Sequence, residues 1–198
     1  MPVMRNLQSP EIKEMFSSWV AELGFRGIIL FYFLQVLQNL IAVIPGGPMQ
    51  VFAGAAFGAW RGLFILQAGC LSAAVIIFTM VKKFGNPLMT RFLGDDLINT
   101  WSFLKDEKKT AKLTFILFLI TGVPKDALTY IAAMTKFSLV QFLPISLIAR
   151  FPGMLLSTMM GAALMQGNWL FFILIFAVTG ITGILGIHFK ERIIRKFS

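Results

Sequence analysis

The chain has 198 residues, of which 57% are hydrophobic and 14% charged, and its mean hydropathy is +0.79. That is more apolar surface than a soluble domain of this size can bury, so lipid is the expected solvent. The net charge of +9 does not point to nucleic acid, because the basic residues gather at the ends of apolar runs, where cytoplasmic membrane flanks carry them and anionic headgroups are the partner.

A single cysteine, Cys70, allows no intrachain disulfide and reads as inert packing within its apolar run. The one histidine, His188, lies far in sequence from the charged residues within apolar runs, Lys125, Asp126 and Arg150, and no Cys/His set is present, so neither an enzyme nor a cofactor is expected. The first 24 residues mix Glu11, Glu14 and Glu22 with apolar residues and lack an uninterrupted apolar core, so no cleavable signal peptide is expected.

Between Glu11 and Leu23, residues Ile12, Met15, Phe16, Trp19, Val20 and Leu23 recur at spacings of three and four, opposite Glu11, Lys13, Glu14 and Glu22. Residues 1–24 are therefore expected to form an amphipathic segment lying on the membrane. The membrane domain, 25–189, opens with an apolar run from Gly27 to Ile44, interrupted by Tyr32, Gln35, Gln38 and Asn39, which is about long enough to cross. Pro45-Gly46-Gly47-Pro48 then breaks the helix while Met49 to Ala59 stays apolar, which puts irregular backbone at membrane depth.

Leu63 to Val81 is a second span, ending at Lys82 and Lys83. The loop 82–112 is polar and carries Leu97, Trp101 and Leu104 at helical spacing, as an interfacial segment does. Leu113 to Thr121 is nine residues, or roughly 13 Å of helix, about half of a ~30 Å hydrocarbon core. A second break, Gly122 to Asp126, follows and leads into Ala127 to Met134. Leu139 to Met165 and Leu170 to His188 supply two more spans, and 190–198 is a basic tail.

The loop after Val81 holds seven basic residues and the tail four, so both are expected in the cytoplasm. Two spans lie between them, which makes 113–137 a hairpin that enters and leaves on one side. The same counting upstream, from a cytoplasmic N-terminus, makes Pro45 to Arg61 a hairpin from the opposite face. The expected fold is an all-α polytopic membrane protein with about four full transmembrane helices and two opposed re-entrant hairpins. Aligning Pro45 with Pro124 sets Gln50 on Thr129, Ala53 on Ala132 and Gly54 on Ala133, and interrupted segments in opposite orientations mark an inverted-repeat transporter with its site at the midplane.

Three ionisable residues stand inside apolar surroundings: Lys125, Asp126 and Arg150. Such residues are costly in lipid and are functional candidates with mutual partners. Pro124 suits the first position of a returning helix, and Asp126 then falls in its first turn, either as a cap or as a carrier of protons. Arg150 has Asp126 as an ion-pair partner that fastens hairpin to span. Lys125 alternatively snorkels to the membrane edge, and Arg61 and His188 lie near span ends.

The segments Ile44-Pro45-Gly46-Gly47-Pro48 through Gly54-Ala55-Ala56-Phe57-Gly58, Gly122-Val123-Pro124-Lys125-Asp126-Ala127-Leu128-Thr129-Tyr130, and Arg150-Phe151-Pro152-Gly153 through Gly161 resemble the VTT-domain (SNARE-associated Golgi protein) branch of the DedA superfamily. The resemblance covers Gly27 to Gly161. It implies a lipid translocase or scramblase, since bacterial relatives are linked to moving undecaprenyl phosphate or phospholipids. It also implies a site formed by the two hairpins, from Pro45, Gly46, Gly47, Pro48 and Gln50 in the first and Pro124, Lys125, Asp126, Thr129 and Tyr130 in the second, with Arg150.

Proton-coupled bacterial relatives carry an acidic residue in the first hairpin, where this chain has none, so Asp126 is the carboxylate left to serve. Membrane lipids with anionic headgroups are the expected partners, a homo-oligomer is compatible with the sequence, and the bacterial plasma membrane is the expected location. Two other classes stay open: a proton-coupled small-solute or ion transporter, and a membrane assembly factor with no transport cycle.

The parity argument predicts that, with Cys70 replaced, a cysteine at Asn168 reacts with an impermeant thiol reagent on intact cells. A cysteine at Lys108 is expected to be protected. The opposite labelling pattern inverts the orientation of both hairpins.

Overall fold

A computed structural model of the protein describes residues 10–41, 46–84, 107–119 and 125–197. They form seven helices and, among the described residues, no strand: α1 Pro10–Ile41, α2 Gly46–Phe57, α3 Ala59–Phe84, α4 Glu107–Leu119, α5 Lys125–Met134, α6 Leu139–Gln166 and α7 Trp169–Phe197. Glu22–Ile41 in α1, all of α3 and all of α6 are long and apolar enough to cross a membrane, and Trp169–Ile184 of α7 is a shorter apolar helix. Pro45, Pro124 and the interfacial pattern at Leu97, Trp101 and Leu104 lie outside the described residues.

Two glycines punctuate the N-terminal half. Gly24 has φ 46° and ψ −131° inside α1, so the helix changes direction there and separates Pro10–Leu23 from the apolar arm that follows. Gly58, at φ 81°, makes the one-residue link from α2 to α3, a conformation that a residue with a Cβ rarely adopts. At the start of α6, Ser138 and Gln141 cap each other reciprocally, which fixes where that helix begins.

α2 lies within the expected first hairpin, Pro45 to Arg61, and packs antiparallel to the C-terminal part of α1. Phe31 of α1 stacks on Phe52 with ring centroids 5.8 Å apart and meets Phe57 edge-on at 5.4 Å, while Gly46 lies beside the side chain of Gln38. The end of α1 thus neighbours the start of α2, and Phe31, earlier in α1, neighbours its end. The C-terminal part of α1 and α2 are the two antiparallel arms. Hydropathy alone does not separate such an arm from a span, because both are apolar along their length.

The second hairpin has α4 and α5 as arms. Its entering arm starts at Glu107, earlier than the apolar run at Leu113, because Glu107, Lys108 and Lys109 are good helix formers that extend the helix beyond the apolar run. Lys82, at the end of α3, donates to the Thr135 carbonyl at 2.9 Å where α5 has just ended. The start of α3 abuts α2 instead, Gly62 lying against the Ala53 carbonyl. α5 thus ends against the C-terminal end of α3, and α2 packs against its N-terminal end.

The core has two parts. One gathers Phe78, Leu117, Phe118, Leu128, Ile131, Phe137 and Phe142 around the second hairpin. The other joins Phe31, Ala53, Leu63, Leu66, Cys70 and Met154 around the first. Exposed faces carry large apolar side chains, including Phe33, Leu37, Phe64, Ile148, Ile173 and Phe176, as lipid-facing surfaces do. The half-helix α2 crosses α6 at backbone contact: a Cβ at Gly54 would overlap the Thr158 backbone, and one at Gly161 would overlap the Val51 carbonyl. Small residues permit this approach, which is how helices associate where no hydrophobic driving force separates them from lipid.

Gly54→Val and Gly161→Val are each expected to lower stability by overpacking, by about 1–3 kcal/mol or more. Thermal unfolding in detergent, followed by size-exclusion chromatography, measures the loss. Gly180→Ala, where nothing lies within 4 Å of the new Cβ, is expected to leave it intact.

Candidate functional site

Between α1, α3, α5 and α6 the apolar interior gives way to a buried polar cluster. Its centre is Arg150, near the middle of α6 and 5% exposed. A guanidinium in that position is too costly to leave unpaired, and it never sheds its charge. Its partners come from α5 and α3. One terminal nitrogen donates to Asp126 Oδ1 at 3.0 Å and approaches Cys70 Sγ at 3.7 Å. The other donates to Thr129 Oγ1 at 3.0 Å and to the Lys125 carbonyl at 3.1 Å. Phe118 of α4 lies under the guanidinium, 4.6 Å from its carbon to the ring centroid, a favourable arrangement for a cation.

Asp126 links this arginine to the first hairpin. Its second oxygen accepts from Gln38 Nε2 at 3.2 Å, and Gln38 accepts in turn from Gln35 Nε2 at 2.9 Å. Asn39 donates to Cys70 at 3.3 Å. Tyr130 donates to the Leu40 carbonyl at 2.6 Å, so its hydroxyl fastens α5 to the end of α1. The side chain of Asp126 is 16% exposed against 6% for Arg150, which makes the carboxylate the more accessible member of the pair. Asp126 stands in the first turn of α5, where a helix N-terminus favours negative charge.

The residues singled out in sequence divide as follows. Lys125, Asp126, Thr129 and Arg150 come together at the cluster. Gly46 and Gln50 join it through Gln38, since a Cβ at Gly46 would sit 3.5 Å from the amide of Gln38 and 3.6 Å from that of Gln50. The Lys125 ammonium lies along α6, 3.6 Å from where a Cβ of Gly153 would be. Gly47 and Pro48 are exposed in the first turn of α2, and Pro45 and Pro124 are outside the described residues.

Cys70 requires a correction: it is buried, but it is a polar contact for Asn39 and Arg150 and not inert packing. The sequence reading also missed Gln35, Gln38 and Asn39 as site residues. Their spacing of three and four puts three amides on one face of an apolar helix, a pattern that only makes sense if that face meets other polar groups. Gln67 belongs to the same surroundings, donating to the Leu147 carbonyl at 3.1 Å in the turn before Pro152, where the helix lacks one of its own donors. Three buried atoms have no partner among the described residues: Arg150 Nε, Gln35 Oε1 and Gln67 Oε1. No group of His, Cys, Asp and Glu able to hold a metal occurs among the described residues.

Among the described residues, three helices long and apolar enough to cross a membrane surround a buried charged cluster, as in a polytopic membrane protein with a polar site inside its apolar domain. Residues 44–163 match the VTT domain, and the chain belongs to that family, the SNARE-associated/DedA family. No curated protein and no solved structure matches the chain.

Arg150→Ala leaves Asp126 buried without its cation, and Asp126→Ala does the reverse. Each is expected to lower stability by about 3–5 kcal/mol, and the double variant to lose less than the sum of the two. Unfolding of the four proteins in one detergent measures the coupling; additive losses would mean that the pair carries none.

Proposed function

We propose that the protein is a lipid translocase or scramblase that carries phosphate-bearing headgroups across a bacterial plasma membrane, through a polar crevice between two re-entrant hairpins. The observation that supports it most is one buried guanidinium held at the N-terminus of α5, with Gln38, beside the start of α2, bonded to the same carboxylate. Backbone N–H groups at a helix start and the positive end of its dipole favour anions, and half-helices aimed at a midplane site are how transporters meet anionic substrates. An arginine fork fits phosphate in two-point fashion. Lys125 adds a second cation, and Asp126 holds Arg150 in place when no anion is bound.

The membrane arrangement follows from helix lengths. At 12 and 10 residues, α2 and α5 reach about 18 Å and 15 Å, roughly half of a ~30 Å hydrocarbon core. Each is the returning arm of a hairpin that reaches about as far as the middles of α3 and α6. Hairpin, span, hairpin, span then alternate, and α7 is a further span. With α1 as an arm and not a span, the N-terminus falls on the face opposite the basic loop and tail. That differs from the cytoplasmic N-terminus expected from the sequence.

Purified protein in liposomes is expected to accelerate the transbilayer movement of anionic phospholipid or polyprenyl phosphate, as read by a reducing agent that bleaches only outer-leaflet fluorophores. Arg150→Lys replaces the fork by a point charge. It is expected to slow movement of anionic headgroups roughly ten- to a hundredfold, the equivalent of about 1.5–3 kcal/mol for one hydrogen bond to charge. Lys125→Ala is expected to act in the same direction. Folded wild-type protein that moves none of these lipids overturns the proposal, and wild-type rates in both variants remove the two cations from it.

A further inference from the structure

The two parts of the core meet along a seam, and α6 crosses it at Pro152 and Gly153. Before the seam, Phe142 packs on Phe118 and Phe137 with ring centroids 5.7 Å and 6.2 Å apart. Arg150, on the same side, binds α5 through Asp126, Thr129 and the Lys125 carbonyl. Beyond the seam, Met154 joins Phe31, Ala53, Leu63 and Leu66, and Thr158 and Gly161 lie against α2. The first half of α6 therefore carries α5, and the second carries α2. Helix α3 crosses the same seam, with Leu66 and Cys70 in one part of the core and Ala74 and Ile77 in the other, but it contains no proline.

Pro152 lies inside α6 and brings no N–H to the Ile148 carbonyl four residues back. Glycine, next in the chain, is the poorest helix former after proline. Packing does not require it: among the described residues, a Cβ at Gly153 would meet the Lys125 ammonium at 3.6 Å, an ordinary contact, and nothing closer. At Gly54 and Gly161, by contrast, a Cβ would overlap backbone. Gln67 of α3, beside Leu66, reaches across the seam and donates to the Leu147 carbonyl at 3.1 Å, while its own Oε1 has no partner among the described residues. That side chain closes the seam with a single hydrogen bond.

We propose that α6 bends at Pro152 and Gly153 while α3 stays straight, so that the half carrying α2 swings away from the half carrying Arg150 and α5. The seam then opens onto the Arg150 cluster. The movement rests on the proposed function only for what enters, an anionic headgroup. Bending is easiest at this point because α6 has no hydrogen bond from Pro152 to Ile148 and the glycine adds no side chain to hold the turn. The other proline of α6, Pro144, lies close to Phe142, within the half that moves with the second hairpin.

Cys70 reports the opening, being the single cysteine of the chain, buried at the seam and 3.7 Å from Arg150. The experiment follows the alkylation of Cys70 by N-ethylmaleimide in the full chain in detergent, by intact mass, with no lipid added. The wild type is expected to label more slowly than denatured protein, yet to completion. Pro152→Ala, which restores the missing donor, and Gly153→Ala, which stiffens the helix, are each expected to slow labelling roughly three- to tenfold, the effect of about one backbone hydrogen bond or one glycine on an opening equilibrium. Pro144→Ala restores a donor away from the seam and is expected to leave the rate unchanged, which separates bending at the seam from a general gain in stability. A cysteine that labels only once the protein is denatured overturns the inference, as does a rate that the two seam variants leave unchanged or that Pro144→Ala lowers as much. Lipid movement reports separately on the proposed function: a wild type that opens in this way but moves no lipid supports the bend and overturns that function alone.

Discussion

The rest of the structure is arranged around the burial of one positive charge. Arg150 sits near the middle of a 28-residue apolar helix, and taking an ion of its size out of water carries a penalty of several kcal/mol even after the protein relaxes. That penalty is offset only if the fork finds acceptors with good geometry, and its oxygen acceptors all come from α5. Asp126, Thr129 and the Lys125 carbonyl approach on α5, and Asp126 is steadied by Gln38 at the end of α1. Satisfying Arg150 thus brings the start of α5 against the C-terminal part of α1. The crossing of α2 and α6 at Gly54 and Gly161 then closes the assembly from the other side.

Two kinds of contact divide the labour. Glycine against backbone holds α2 on α6 with little chemical character, whereas hydrogen bonds to charge hold α5 against α6 and α1. The first kind is rigid and insensitive to ligands. The second is open to competition, because an incoming phosphate offers Arg150 the same oxygen acceptors that Asp126 does. The half of the molecule that a ligand can rearrange is therefore the second hairpin. Its N-terminal turn carries both Lys125 and Asp126, so one small shift moves a cation and an anion together.

Much of the scaffold was legible in the residues themselves. The aligned prolines Pro45 and Pro124 immediately precede the described helices α2 and α5. Charge in an apolar run singled out Lys125, Asp126 and Arg150, because lipid tolerates so few such residues. What the sequence concealed depends on neighbours across the fold. The packing of α1 on α2 through Phe31, Phe52 and Phe57 is one such feature, which hydropathy does not reveal. Cys70 and Gln38 are unremarkable in sequence and acquire a role through Arg150 and Asp126, which are distant along the chain.

The most direct measurement is the nitrogen-15 resonance of the Arg150 side chain in detergent-solubilised protein, assigned through Arg150→Lys, during titration with a short-chain phosphatidic acid. Nε is buried and has no partner among the described residues, so a phosphate seated in the fork gives it its first hydrogen bond. The expected result is a saturable downfield shift of the Nε–H signal that a zwitterionic lipid of the same chain length does not produce. An Nε–H signal that stays in place while the protein moves anionic lipid would contradict the assignment of Arg150 as the phosphate seat.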